Sequence, residues 1–162
     1  MKKTATFMIA LSLASTAFSQ NNLSIYKNKA EALYQQLSEK DPSQLEVKSK
    51  VLVEISKGIV KANIKALPQC EEYLQALLKD ADKIATLPIE DIETGYHADG
   101  KLPPLKDGAC YHAKDLLVHP ATVQAMAKQG IEGDKAWKQA AHEIEEVLEH
   151  LSIVEAIAAK SH

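Results

Sequence analysis

The chain has 162 residues, a formal net charge of −3 at pH 7 and only 5% aromatic residues. An acidic chain poor in rings is ill suited to nucleic acid, which selects a basic face and stacking side chains. Beyond the first segment no stretch is long or apolar enough to span a bilayer, and what remains is the length of one domain able to bury a core without a metal.

The first segment reads as a secretory signal peptide. Lys2 and Lys3 form a positive n-region, Met8 to Ala14 an apolar h-region interrupted by Ser12, and Ala17-Phe18-Ser19 the small-x-small cleavage rule. Cleavage at about Ser19/Gln20 divides the chain into a leader, residues 1–19, and a single domain, residues 20–162. No Cys follows the h-region, so a lipid anchor is not expected there. The MKKT start looks bacterial, and the expected destination is the periplasm.

The mature chain is patterned for helices throughout. Tyr26, Ala30, Leu33 and Leu37 mark one face of a first helix that should stop near Lys40, before Asp41-Pro42. A second helix follows. Ser43-Gln44-Leu45-Glu46 has capping-box spacing, or Asp41 caps with Pro42 at the first helical position. Val47, Val51, Ile55, Ile59, Ala62 and Ala66 give it one apolar stripe, and Val53, Val60 and Ile64 a second. Gly58, costly within a helix, points to close approach of a neighbour. A third helix begins at Pro68 and carries a seam of Cys70, Leu74, Leu77, Ala81 and Ile84.

From Pro88 to Ala109 the periodicity fails, and six Pro and Gly residues predict a long loop. A short apolar helix including Leu116, Leu117 and Val118 should break or kink at His119-Pro120. Its second piece should stop at Gly130. Asp134 can cap a last long helix with a core stripe of Ala140, Ile144, Val147, Leu148, Leu151, Val154 and Ala158. Past Leu151 this helix is apolar nearly all round, as expected of a central position or, alternatively, a homodimer contact.

Cys70 and Cys110 are the two cysteines, and in an oxidising compartment they are expected to form a disulfide. Closing a loop of that length stabilises by roughly 4 kcal/mol. The expected fold is therefore all-α: an antiparallel bundle of four long helices, a long crossover loop pinned by the disulfide, and one short broken helix. In size, export and helix pattern the chain resembles periplasmic four-helix bundles such as the b-type and c′-type cytochromes. The likeness is architectural, and fold does not fix function.

All six histidines lie at or beyond the long loop. C-x-x-C-H, paired Glu-x-x-His and the zinc-protease signature are all absent. Two looser trios remain. His112, Asp115 and His119 are spaced by three and four, and His142, Glu146 and His150 by four. The acidic stretch Glu90 to Asp99 lacks the regular oxygen spacing of a calcium loop. Lys50, Lys57, Lys61 and Lys65 read as a solvent-facing ridge. Cys110 and His112 could form a nucleophile and base only if the disulfide were absent.

Two functions follow as expectations. The leading one is a non-catalytic binding module, inhibitor- or immunity-like, meeting another periplasmic protein through Tyr96, His97, Tyr111, His112 and His119, with no cofactor. The alternative is a bundle that holds zinc, copper, iron or non-covalent haem with His112, Asp115, His119, His142, Glu146 and His150.

Overall fold

A computed structural model describes residues 10–160, with side chains from residue 21 onward. Residues 1–9 of the expected leader lie outside the described residues, and the expected cleavage point falls within a continuous first helix. The described chain is all-helical, with no strand. Six helices run in the order α1 (Ala10–Ser38), α2 (Leu45–Ala66), α3 (Glu71–Ile84), α4 (Ile89–Ile92), α5 (Gly108–Gln129) and α6 (Gly133–Lys160). A 3₁₀ turn, Pro68–Cys70, leads into α3, and a π-helical turn, Glu93–His97, continues α4.

The anticipated stripe of α1, Tyr26, Ala30, Leu33 and Leu37, is buried. The corner after it is built differently from either expected cap. Asp41 accepts from the Ser43 amide at 2.9 Å, Gln44 takes a left-handed φ of 59°, and α2 begins at Leu45 without a side-chain cap. The buried seam of α2 matches the anticipated stripes only in part: it keeps Ile59 of the first and Val53 and Val60 of the second, adds Leu45, Ser49, Leu52, Ser56 and Asn63, and leaves Val47 exposed. Ser49 and Ser56 stay satisfied in the core because their hydroxyls donate back to the Leu45 and Val53 carbonyls, at 2.6 and 2.7 Å. Gly58 does not mark a close helix crossing: a Cβ there would meet only the Asn22 side chain, at an ordinary 3.7 Å. The anticipated seam of α3, from Cys70 to Ile84, is buried.

Two further expectations are corrected. The stretch from Pro88 to Ala109 is not one long loop, because α4 and the π turn occupy its first half. Gly100 closes that turn by lying against it: its amide donates to the Thr94 carbonyl at 3.1 Å, and a Cβ at this position would sit 2.4 Å from the same oxygen. The broken helix is not broken either. α5 passes through His119 and Pro120 without interruption. Proline has no amide hydrogen to offer the carbonyl four residues back, which is that of Leu116. Tyr26 of α1 takes that oxygen instead, its hydroxyl donating at 2.5 Å. The side chain from α1 satisfies the acceptor that Pro120 leaves free, so the helix continues.

α5 is consequently the centre of the molecule rather than an appendage. It packs most extensively on α2 and α6 and also on α3, while α1 closes on α6 and α2. Every residue from Ala113 to Met126 is buried. The helix expected to complete the set of four long ones, α3, is shorter and covers α2 and α5 from outside. Cys70 and Cys110 are bonded, with Cα atoms 5.4 Å apart, which ties the start of α3 to the first turn of α5. Asp107 caps that turn, accepting from the Ala109 amide at 2.9 Å.

Candidate metal centre

Burying α5 on all sides takes Lys114, Asp115 and His119 into the core with it. Such groups are rarely buried unless paired or bound to a metal. Lys114 is paired. Its ammonium donates to the carbonyls of Tyr96 (2.9 Å) and His97 (3.0 Å) and to Asp99 Oδ1 (3.2 Å). Those three acceptors match its three hydrogens in number. Tyr73 donates to the same Asp99 oxygen at 2.7 Å, and the Tyr111 ring lies 4.4 Å from the ammonium. This network clamps the π turn to α5 and so sets the position of His97.

Two helix faces then meet. His112, Asp115 and His119 lie at i, i+3, i+7 on α5, and Glu143, Glu146 and His150 have the same spacing on α6. Between them the imidazoles form a chain. The ring centroids of His97 and His119 are 4.7 Å apart, those of His119 and His150 5.5 Å, and those of His150 and His112 5.1 Å. His119 Nδ1 donates to Glu143 Oε2 at 2.8 Å, and His150 Nδ1 lies 2.8 Å from His112 Nδ1. With their Nδ1 atoms so engaged, both His119 and His150 turn Nε2 toward Asp115. His119 Nε2 is 3.9 Å from Asp115 Oδ1, and His150 Nε2 is 3.5 Å from Asp115 Oδ2.

That junction is only partly satisfied. Asp115 is fully buried beside Lys114 Nζ, 3.2 Å from Oδ1, and the Tyr111 phenol, both of which offer it hydrogens, whereas the buried Nε2 of His119 has no hydrogen-bond partner among the described residues. Buried polar atoms without partners are costly and uncommon. The donor atoms of Asp115, His119 and His150 lie within 4.8 Å of one another, as do those of His97, His119 and Glu143. Two zinc ligands at about 2.0–2.1 Å and the tetrahedral angle stand roughly 3.3 Å apart, close to the spacing around Asp115.

The electrostatics match this geometry. Burial, the His119 charge and other nearby cations hold His150 down at about 4, and burial with His119 does the same for His97. Both rings are therefore neutral; the Thr122 hydroxyl donates to the Val118 carbonyl, so His97 Nε2, 3.0 Å away, donates to Thr122 Oγ1 and carries that ring's proton. Burial works against a charged His119, but its hydrogen bond to Glu143 and the charges of Asp115, Glu143 and Glu146 outweigh it and raise the ring's pKa. Burial raises Asp115 despite Lys114 and His119. Burial, with the Asp115 charge, pushes the Tyr111 phenol up to about 12.

Of the anticipated metal set, Asp115, His119 and His150 converge, and His112 supports His150. Glu146 stands 3.6 Å from His119 Nδ1. His142 does not join them. It is exposed and pairs with Glu145 and Glu146, because positions spaced strictly by four drift around a helix. Of the anticipated binding surface, Tyr96 is fully buried and donates to Asp80 at 3.0 Å, and His97 and His119 turn inward; Tyr111 is exposed at its edge. Glu143 and Lys114 were missed. Their signal was a charged residue on an otherwise apolar stripe, Glu143 between Ala140 and Val147, and Lys114 between Ala113 and Leu117. Comparison of the chain with protein-family models, with curated proteins and with solved structures finds no match.

Proposed function

We infer that the mature chain is an exported helical protein that binds a first-row transition-metal ion, held by Asp115, His119 Nε2 and His150 Nε2. The observation that carries this is the buried, unpartnered Nε2 of His119 facing the buried Asp115 carboxylate and the neutral His150 imidazole across gaps of ligand size. Two imidazoles and one carboxylate suit zinc, copper(II) or iron(II), and a set of three leaves coordination positions open. Glu143 and His112 act through the ligands, engaging Nδ1 so that each ring offers Nε2. Thiolate ligation is not part of the reading, since both cysteines are bonded.

The histidine rings pack against one another at centroid distances of 4.7 to 5.5 Å, which favours an ion over haem. Of the residues of the alternative protein-binding role, Tyr96, His97 and His119 face inward, and Tyr111 and His112 alone reach the surface, which favours the metal reading. Export to the periplasm rests on the leader pattern, and a disulfide suits that compartment. The short corners between α1 and α2 and between α5 and α6 support an antiparallel course for the long helices.

The test is elemental analysis of protein purified from the periplasm without an affinity tag, together with zinc and copper(II) titration followed by thermal unfolding. The expected result is at least one bound ion per chain and a raised Tm on titration. Neither bound metal nor a thermal shift would overturn the reading.

A further inference from the structure

We propose that the centre takes two metal ions and that the imidazole of His119 bridges them. This rests on the inner site, Asp115 with His119 Nε2 and His150, being a metal site. His119 is the one residue common to both ligand sets that the fold brings together. Its two nitrogens face opposite ways. On the Nδ1 edge, Glu143 Oε2 is 2.8 Å away and Glu146 Oε2 3.6 Å. His97 Nε2 lies 3.7 Å from the same Glu143 oxygen and donates to Thr122 Oγ1 at 3.0 Å, so it takes an ion once its proton has moved to Nδ1 of the same ring. A second arrangement of two imidazoles and a carboxylate thus stands back to back with the first.

Charge argues for a cation on that edge. Glu93, Glu143 and Glu146 are close enough to influence one another. Among the described residues, no lysine forms an ion pair with Glu143 or Glu146, whose ion-pair partners are histidines. Lys114, the buried ammonium, is committed to Tyr96, His97 and Asp99. An ion at the inner site takes the Nε2 lone pair, so His119 then carries its only proton on Nδ1. A second ion replaces that proton: the N–H bond breaks, the proton leaves to solvent, and the nitrogen lone pair binds the metal. The bridging ring is then imidazolate, whose negative charge both cations share.

The two positions differ in access. Asp115 is fully buried, whereas the Glu146 side chain is 37% exposed. The inner ion should load first and exchange slowly, and the outer ion should load second and wash out first. The competing account is that Glu143 merely orients His119 for a single ion.

The test uses the mature protein carrying His142→Ala, which removes an exposed imidazole that could bind copper by itself. Native mass spectrometry counts zinc ions, and electron paramagnetic resonance counts copper(II) spins. The expected result is two zinc ions per chain, and a two-copper form whose spin intensity falls well below two per chain, because an imidazolate couples the spins antiferromagnetically. Glu143→Gln and His97→Gln should each hold one copper with one full spin, their helicity checked by circular dichroism. One ion at saturation in the starting protein would overturn the bridge while leaving the inner site standing. Two coppers with two full spins would place the second ion elsewhere and overturn it too. No bound ion at all would instead remove the metal reading on which the proposal rests.

Discussion

Replacing Asp115 by asparagine separates a ligand from a structural counter-ion. The carboxylate is fully buried between Lys114 and His119, and Lys114 is already matched by Asp99 and two carbonyls. Asp115→Asn removes a buried charge yet leaves Lys114 its three acceptors, so the metal-free fold should change by less than about 1 kcal/mol. With zinc the outcome differs. An ion present at about a hundred times its Kd stabilises the native state by about 2.7 kcal/mol. At about 2–4 °C per kcal/mol for a chain of this order, that is a rise in Tm of roughly 5–10 °C. Asp115→Asn should abolish this rise. Differential scanning calorimetry of both proteins, with chelator and with zinc, reads both effects. A zinc-induced shift that survives the substitution would refute ligation by Asp115. A loss of about 3–5 kcal/mol in the metal-free variant would show instead that the carboxylate is the indispensable partner of Lys114.

Tyr26→Phe should destabilise the protein by about 1–3 kcal/mol in urea unfolding, because the buried Leu116 carbonyl opposite Pro120 loses its donor; an unchanged midpoint would mean the carbonyl finds another. His97 and His150 are held down at about 4 in the folded state, whereas the unfolded chain protonates them near 6.5, so their contribution is present above about pH 6.5 and lost as pH falls toward 4. Asp115, raised by burial, offsets part of that loss, so the clean readout is a difference: in chelator, His97→Gln should show a shallower decline of urea midpoint between pH 6.5 and 4 than the parent. Equal slopes would count against a buried neutral His97. His112→Phe should weaken zinc binding by about 10–100-fold in calorimetry by freeing His150 Nδ1, and unchanged affinity would exclude that supporting role. Replacing Cys70 and Cys110 by serine should lower stability by up to about 4 kcal/mol, measured by thermal unfolding; no loss would mean the unfolded chain is already constrained there.

Helix existence, the stripe of α1, the seam of α3 and the disulfide were all legible, because each depends on local periodicity or on a single pair of residues. What escaped reading depends on contacts distant in sequence. His119-Pro120 is a helix breaker by local rules, and the acceptor it frees on Leu116 is satisfied by a tyrosine ninety positions before Leu116. The seam of α2 was partly misread because Ser49, Ser56 and Asn63 occupy core positions that a hydrophobic count skips. The α5 half of the centre was visible as the trio His112, Asp115 and His119. The α6 half was read one residue out of phase, through His142 rather than Glu143. His97 was noted but placed on a surface, since nothing local shows that Lys114 folds its turn inward.

Anomalous diffraction from crystals grown with zinc tests the central claim most directly. The account predicts a peak at the metal edge about 2.0–2.1 Å from Nε2 of His119 and of His150, and at bonding distance from Asp115. Density confined to the exposed His142, or Asp115 and His119 meeting each other without a metal between them, would contradict it.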